Sequence, residues 1–193
     1  MTKQDFDSTC SRFKLADLLV ENSTNQVKKL LKTFLCAKNT DVQDFLHNKA
    51  ITFERNLRAC TYLYTSNVDK SVVAYMTLGI KSLLTNDLND EAIQFLDGYT
   101  SQILSIPCYL IAQLGKNDNY KHKIGSFLLD DALSIIDKSH ESLKGRFVLI
   151  DSVNNDKVIN FYKENSFIAI ENDTSLKSIK MIKPYFEHSG LEI

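Results

Sequence analysis

Two short stretches of this 193-residue chain hold residue types that could do chemistry. The first runs from Leu110 to Leu129: an apolar strand pattern, a polar loop, then the start of an amphipathic helix. Unpaired backbone N–H groups and the helix dipole at such a junction favour an anion. Lys116, Lys121 and Lys123 add positive charge around His122, and Gly125 and Ser126 stand where backbone would approach a ligand. The plainer reading is a helix start with a solvated basic rim. The second stretch runs from Asn155 to Phe167, where Val158, Ile159, Phe161 and Tyr162 punctuate a short helical pattern after an apolar strand. Taken alone, the Phe-Tyr pair reads as core packing.

The elements that position these stretches are legible in outline. Phe13–Leu18 alternates and predicts a strand, and Asn25–Lys32 predicts a short helix. Thr40 caps a helical stripe of Val42, Phe45, Leu46, Ala50, Ile51 and Phe53 that reaches about Leu57. Ala59–Tyr64 and Ser71–Leu78 read as a β-hairpin turning at Ser66–Asp69. Residues 85–104 connect, with helical spacing at Ala92, Ile93 and Leu96 and no Lys or Arg between Lys81 and Lys116, so one local face is acidic. Pro107 introduces Cys108–Leu114, whose near-continuous apolar run predicts a central strand buried on both faces. A helix over Gly125–Ser139, a buried strand over Gly145–Asp151 and a helix over Asp156–Asn165 follow. Phe167–Ile170 and Ser178–Ile182 close as a hairpin. This order gives a mixed α/β three-layer domain around a partly parallel sheet.

Composition bounds the rest. Lys+Arg total 23 and Asp+Glu 24, a net charge of −1, which excludes a pervasively basic nucleic-acid binder but not a local basic patch. Cys10, Cys36, Cys60 and Cys108 form no CxxC pair, which argues against a zinc site and a disulfide framework and for reduced thiols. The Met1–Asp7 start lacks a signal-peptide pattern, and Ile103–Leu114 is too short for the ~20 residues a membrane span needs. The reading is a soluble cytoplasmic protein. Glycine is scarce, six in all, so its presence or absence at a given place carries information.

Together the two stretches resemble the GNAT superfamily of acetyl-CoA-dependent N-acyltransferases. The family's pyrophosphate-loop motif, Gln/Arg-x-x-Gly-x-Gly/Ala, falls on Tyr120-Lys121-His122-Lys123-Ile124-Gly125, followed by Ser126-x-Leu128-Leu129. Its later motif, Asn-x-x-Ala-x-x-Phe-Tyr-x-x-x-Gly-Phe, is matched by Asn155, Val158, Phe161, Tyr162, Ser166 and Phe167. The N-terminal half is similar to the toxin-type GNAT proteins of bacterial toxin–antitoxin pairs, on Phe34-x-Cys36, Val42–Leu46, Thr61–Leu63 and Val73–Leu78. The resemblance covers residues 34–183, with 1–33 an extension and 184–193 a tail of one domain.

The resemblance implies a GNAT-type α-β-α fold with a mixed, mainly antiparallel sheet splayed at the cofactor site. It implies that Gln113, Leu114, Gly115 and Lys116 line the pantetheine arm of acetyl-CoA. The loop amides of Lys121, His122, Lys123, Ile124, Gly125 and Ser126 would cradle the pyrophosphate. Asn155 would contact the cofactor through its side chain, Phe161 would pack near the pantetheine, and Tyr162 would protonate the departing thiolate. No metal and no membrane are implied; a general base is not assigned. The acceptor would be an amine of a small molecule, a protein or aminoacyl-tRNA, with an antitoxin as a further partner and room for a homodimer. Departures from the motifs are Tyr120 for Gln/Arg, Lys123 for the first loop glycine and Ser166 for the last. If Ser166 is left-handed, it costs about 1 kcal/mol relative to glycine. Lys123→Gly would tighten acetyl-CoA binding if that position needs a glycine. Two readings stay open: an N-acetyltransferase, and a non-catalytic GNAT-fold module that acts through a protein partner.

Overall fold

The computed structural model describes residues 1–86, 88–170 and 177–186. The chain forms two compact units, one of residues 1–79 and 112–137, the other of residues 80–111 and 138 onward.

The first unit opens with a helix that the sequence pattern did not suggest, α1 (Lys3–Thr9). Seven residues are too few for a stable isolated helix, but Thr2 and Asp5 form a reciprocal capping box, and Phe6 is fully buried. The strand expected over Phe13–Leu18 is β1 (Cys10–Lys14), and Leu15 onward is helix α2 (Leu15–Glu21). Spacing decides this: Leu15, Leu18 and Leu19 stand at i, i+3 and i+4 and share one core cluster, which alternation cannot achieve. Helix α3 (Thr24–Leu31) follows as expected, under a Ser23–Gln26 capping box. The stripe from Thr40 is α4 (Thr40–Asp44), a π-turn (Phe45–Lys49) and α5 (Ala50–Arg55).

Strands β2 (Cys60–Ser66) and β3 (Val72–Leu84) form the expected antiparallel hairpin, with Thr61 opposite Thr77 and a bulge between Tyr64 and Thr65. Strand β1 pairs antiparallel with β2. The core of this unit gathers Leu15, Val27, Leu31, Phe34, Phe45, Leu46, Leu63 and Tyr75.

The second unit holds α6 (Asp90–Asp97), most of β4 (Ser105–Lys116), β5 (Phe147–Val153), α8 (Asp156–Glu164), β6 (Ile168–Ala169) and β7 (Ser178–Pro184). Between β4 and β5 runs α7 (Gly125–Ser142), and the two strands pair parallel from Tyr109–Val148 to Ile111–Ile150, as a strand–helix–strand connection requires. β5 pairs antiparallel with β7, and β7 with β6. Among the described residues these pairings are thus mainly antiparallel, with one parallel pair.

β4 departs from the expected burial on both faces. Ile106, Cys108, Ile111 and Gly115 are buried, while Tyr109, Leu110, Gln113 and Leu114 are half-buried. Tyr109 lies over Gly145, where an added Cβ would meet its ring at 2.5 Å, and donates to the Leu143 carbonyl. A phenol with a polar partner at the rim holds this part of the strand face.

In α6, Asp90 and Glu91 are exposed in the first turn, so part of the expected acidic face is solvated, and Asp87 lies outside the described residues. Arg146 covers the other end of α6: its Nε donates to the Leu96 carbonyl at 2.6 Å and a terminal nitrogen to Phe95 at 3.2 Å. A cation at a helix C-terminus opposes the dipole favourably. Its guanidinium also lies 4.1 Å from the Phe186 ring centroid.

Candidate functional site

In the first unit, the end of β4 is fixed by packing. Gly115 is buried, and a Cβ there would lie 2.6 Å from Val42, 2.9 Å from Tyr75 and 3.1 Å from Phe34. Its missing side chain is therefore a demand of the core. Asn117, only 4% exposed, then pins the loop: its Nδ2 donates to the carbonyls of Thr33 at 2.9 Å and Val72 at 2.7 Å. Asp118 accepts from the Ala37 amide at 2.7 Å. Lys116 turns its ammonium back to the Tyr120 carbonyl, and Lys121 donates to the Asp118 carbonyl at 3.4 Å.

Lys121, His122 and Lys123 are exposed, Ile124 is buried and α7 begins at Gly125. Ile124 offers no side-chain acceptor at the cap position. Among the described residues, the amides of Gly125, Ser126 and Phe127 have no acceptor, and the first intrahelical bond is Leu128 to Ile124 at 3.1 Å. An 18-residue helix thus ends in free N–H groups behind two lysines and a histidine, with no acidic residue in its first turn. That is an arrangement suited to a phosphate group. Neither Lys123 nor Gly125 has positive φ, so the loop needs no glycine conformation at Lys123. Tyr120 points elsewhere: its ring lies 6.3 Å from Phe6 and 5.4 Å from His122.

In the second unit, Asn155 follows β5 as the N-cap of α8. Its Oδ1 accepts from the Lys157 amide at 3.1 Å. The side chain expected to face a cofactor thus has one end committed to the helix, which leaves its NH2 as the available donor. Phe161 is half-buried, with its ring 5.1 Å from that of Tyr162.

Tyr162 is 8% exposed, and its hydroxyl makes no hydrogen bond among the described residues. Burial pushes this phenol up to about 12, because the phenolate would lose its hydration. It is a neutral donor with no acceptor among the described residues.

Ser166 has φ 66°, so the condition left open in the sequence holds and this residue is left-handed. The Phe167 amide donates to the Tyr162 carbonyl and the Ser166 amide to Lys163, both at 3.0 Å, which is a Schellman ending with Phe167 packed on Tyr162. Ser166→Gly is expected to stabilise the fold by about 1 kcal/mol and raise Tm by ~2–4 °C in a calorimetric scan.

One constellation went unread in the sequence. Asp131 on α7 accepts from Lys3 at 2.9 Å and Tyr64 at 2.7 Å, and lies 3.4 Å from Arg12. These groups line a cavity of about 590 Å³ with Asp7, Cys10, Ser11 and Phe13. The available signal was the capping box at Thr2–Asp5 and an aspartate beside the buried Leu128, Leu129 and Ala132. Among the described residues, no group of three or more His, Cys, Asp or Glu could hold a metal, and no helix is long and apolar enough to cross a membrane.

No protein-family model matches the sequence, and no curated protein matches it significantly. Solved structures do. A bacterial toxin matches with TM-score 0.67 at 16% identity, covering 94% of this chain and 98% of that one. AtaT complexed with acetyl-methionyl-tRNAfMet matches with TM-score 0.67 at 18% identity, covering 91% and 94%. A tyrosine-to-phenylalanine mutant of KacT matches with TM-score 0.69 at 13% identity, covering 91% and 95%. Across at least nine-tenths of its length, then, this chain has the fold of AtaT and KacT.

Proposed function

We propose that the chain is an acetyl-CoA-dependent N-acetyltransferase working as one acyltransferase domain. The observation that carries this reading is the start of α7, with three N–H groups that have no acceptor among the described residues behind the exposed Lys121, His122 and Lys123. These amides and side chains suit the pyrophosphate. Gln113, Leu114, Gly115 and Lys116 would run beside the pantetheine arm, with the NH2 of Asn155 and the ring of Phe161 as further contacts. A similar fold is seen in AtaTR bound with acetyl-CoA, with TM-score 0.64 at 16% identity.

The amine acceptor attacks the thioester carbonyl, and a strand N–H near Leu114 stabilises the oxyanion. As the C–S bond breaks, Tyr162 gives its proton to the sulfur and regains one from solvent, while the new amide loses its extra proton to water. No Ser, Cys or His nucleophile is needed, because the amine is the nucleophile. Since burial disfavours the phenolate, Tyr162 stays protonated as pH rises through the ordinary tyrosine range. The rate is expected to show no descending limb from this residue below about pH 10.

Isothermal titration with acetyl-CoA tests the reading: absence of heat and of thermal shift at millimolar ligand would sink it and favour the non-catalytic module. Aminoacyl-tRNA is one acceptor to test, since AtaT is seen with acetyl-methionyl-tRNAfMet. Lys28, Lys29, Lys32, Lys38 and Lys49 are all exposed in the first unit, and Lys49 pairs with Asp44 at 2.9 Å. Phosphate contacts from this group would make RNA binding strongly salt-dependent. Incubation with acetyl-CoA and charged tRNA reads it directly, and no acetylated species from any charged tRNA removes that acceptor. An antitoxin partner, as seen for AtaT with the C-terminus of AtaR, is proposed on the same footing.

A further inference from the structure

We propose that α1 is the positioning element of the anion-binding loop, acting through Phe6 and Tyr120; this rests on the acetyl-CoA reading of that loop. Among the described residues, no backbone N–H from Lys121 to Phe127 is hydrogen-bonded. The free amides that suit a pyrophosphate are therefore not held by a ladder, and their placement depends on what grips the two ends of the stretch.

One side chain touches both ends. Phe6, with 0% exposure, lies 6.3 Å from the ring of Tyr120, just before the stretch, and 6.1 Å from the ring of Phe127, at its end. Tyr64 backs it at 5.5 Å. The charged groups of the 590 Å³ cavity add a second grip on α7. Lys3 and Arg12 meet Asp131, one turn beyond Phe127, and the Lys3 ammonium lies 5.9 Å from the Phe127 ring centroid. α1 thus brackets the loop from Tyr120 to Asp131.

Preorganisation is the physical consequence. A loop whose donors are already placed binds its anion without first losing the freedom of several residues. The position where the motif has Gln or Arg instead carries a tyrosine that faces α1, so its contribution is to hold the loop.

The test uses the full chain and two readouts. In the ligand-free protein, Tyr120→Ala is expected to speed hydrogen exchange of the Leu128 amide about tenfold while leaving Leu149 on β5 unchanged. Binding of acetyl-CoA should weaken about tenfold, binding of S-acetyl-pantetheine (which lacks the phosphates) should hold, and Tyr120→Phe should behave as wild type in both. Phe6→Ala should reproduce Tyr120→Ala; if it fails to fold, half-buried Tyr120 decides. Wild-type exchange at Leu128 in Tyr120→Ala, or equal losses for both ligands, overturns the proposal. Failure of the wild type to bind acetyl-CoA would instead overturn the acetyltransferase reading, and the exchange result still decides whether α1 holds the loop.

Discussion

Tyr162→Phe is expected to lower the acetyl-transfer rate by roughly 10²–10⁴-fold, the range of a positioned general acid. The affinity for acetyl-CoA should stay within about twofold, because the substitution keeps the ring and removes only a proton donor. Stability should hardly change. The Tyr162 hydroxyl has no hydrogen-bond partner among the described residues, so its removal strands no buried group, and the contacts with Phe161 and Phe167 persist. Single-turnover kinetics beside titration calorimetry separates the two effects. An unchanged rate would remove Tyr162 from its role without touching the assignment of the α7 loop, since different atoms carry the two claims.

The largest stability effect is expected at Gly98→Ala. Gly98 ends α6 with φ 79°, where an L side chain costs about 1–2 kcal/mol. A Cβ there would also lie 2.4 Å from Cζ of Arg146. The guanidinium cannot move without giving up its bonds to Phe95 and Leu96, and hydrogen bonds to charged groups contribute about 1.5–3 kcal/mol. The sum is about 2.5–5 kcal/mol, readable as a lower denaturation midpoint at unchanged slope. Arg146→Ala should destabilise by a similar amount, and the double variant by less than the sum, because both changes remove the same cap.

Local rules explain most of what was legible. β2, β3, α3, α7, β5 and α8 follow their patterns because each buries one face against a core, and the residues that do so recur at period 2 or 3.6. Ser166 shows how far this reaches. The serine standing for the motif's glycine raised the question of a left-handed residue, and a Schellman ending needs one there. Lys123 shows the limit. A glycine is missing from the same motif register, yet the backbone there is not left-handed. Lys123→Gly would therefore relieve no strain and would remove a positive charge.

Residue types and their spacing determined the order of elements from α3 onward, the anion-suited junction at Gly125 and the exposed basic stretch before it, because these depend on near neighbours in the chain. The same spacing set Phe161, Tyr162 and Phe167 on one short helix and its ending. Only the tertiary structure decided what long-range contacts control. It turned Leu15–Glu21 into helix against a shared core, committed Oδ1 of Asn155 to a cap and explained Gly115 by the crowding of Val42, Tyr75 and Phe34. It also brought Phe6 to both Tyr120 and Phe127, more than 110 residues away in sequence. No periodicity records a contact at that separation, because the pattern of one segment carries the face it buries but not the partner that will cover it.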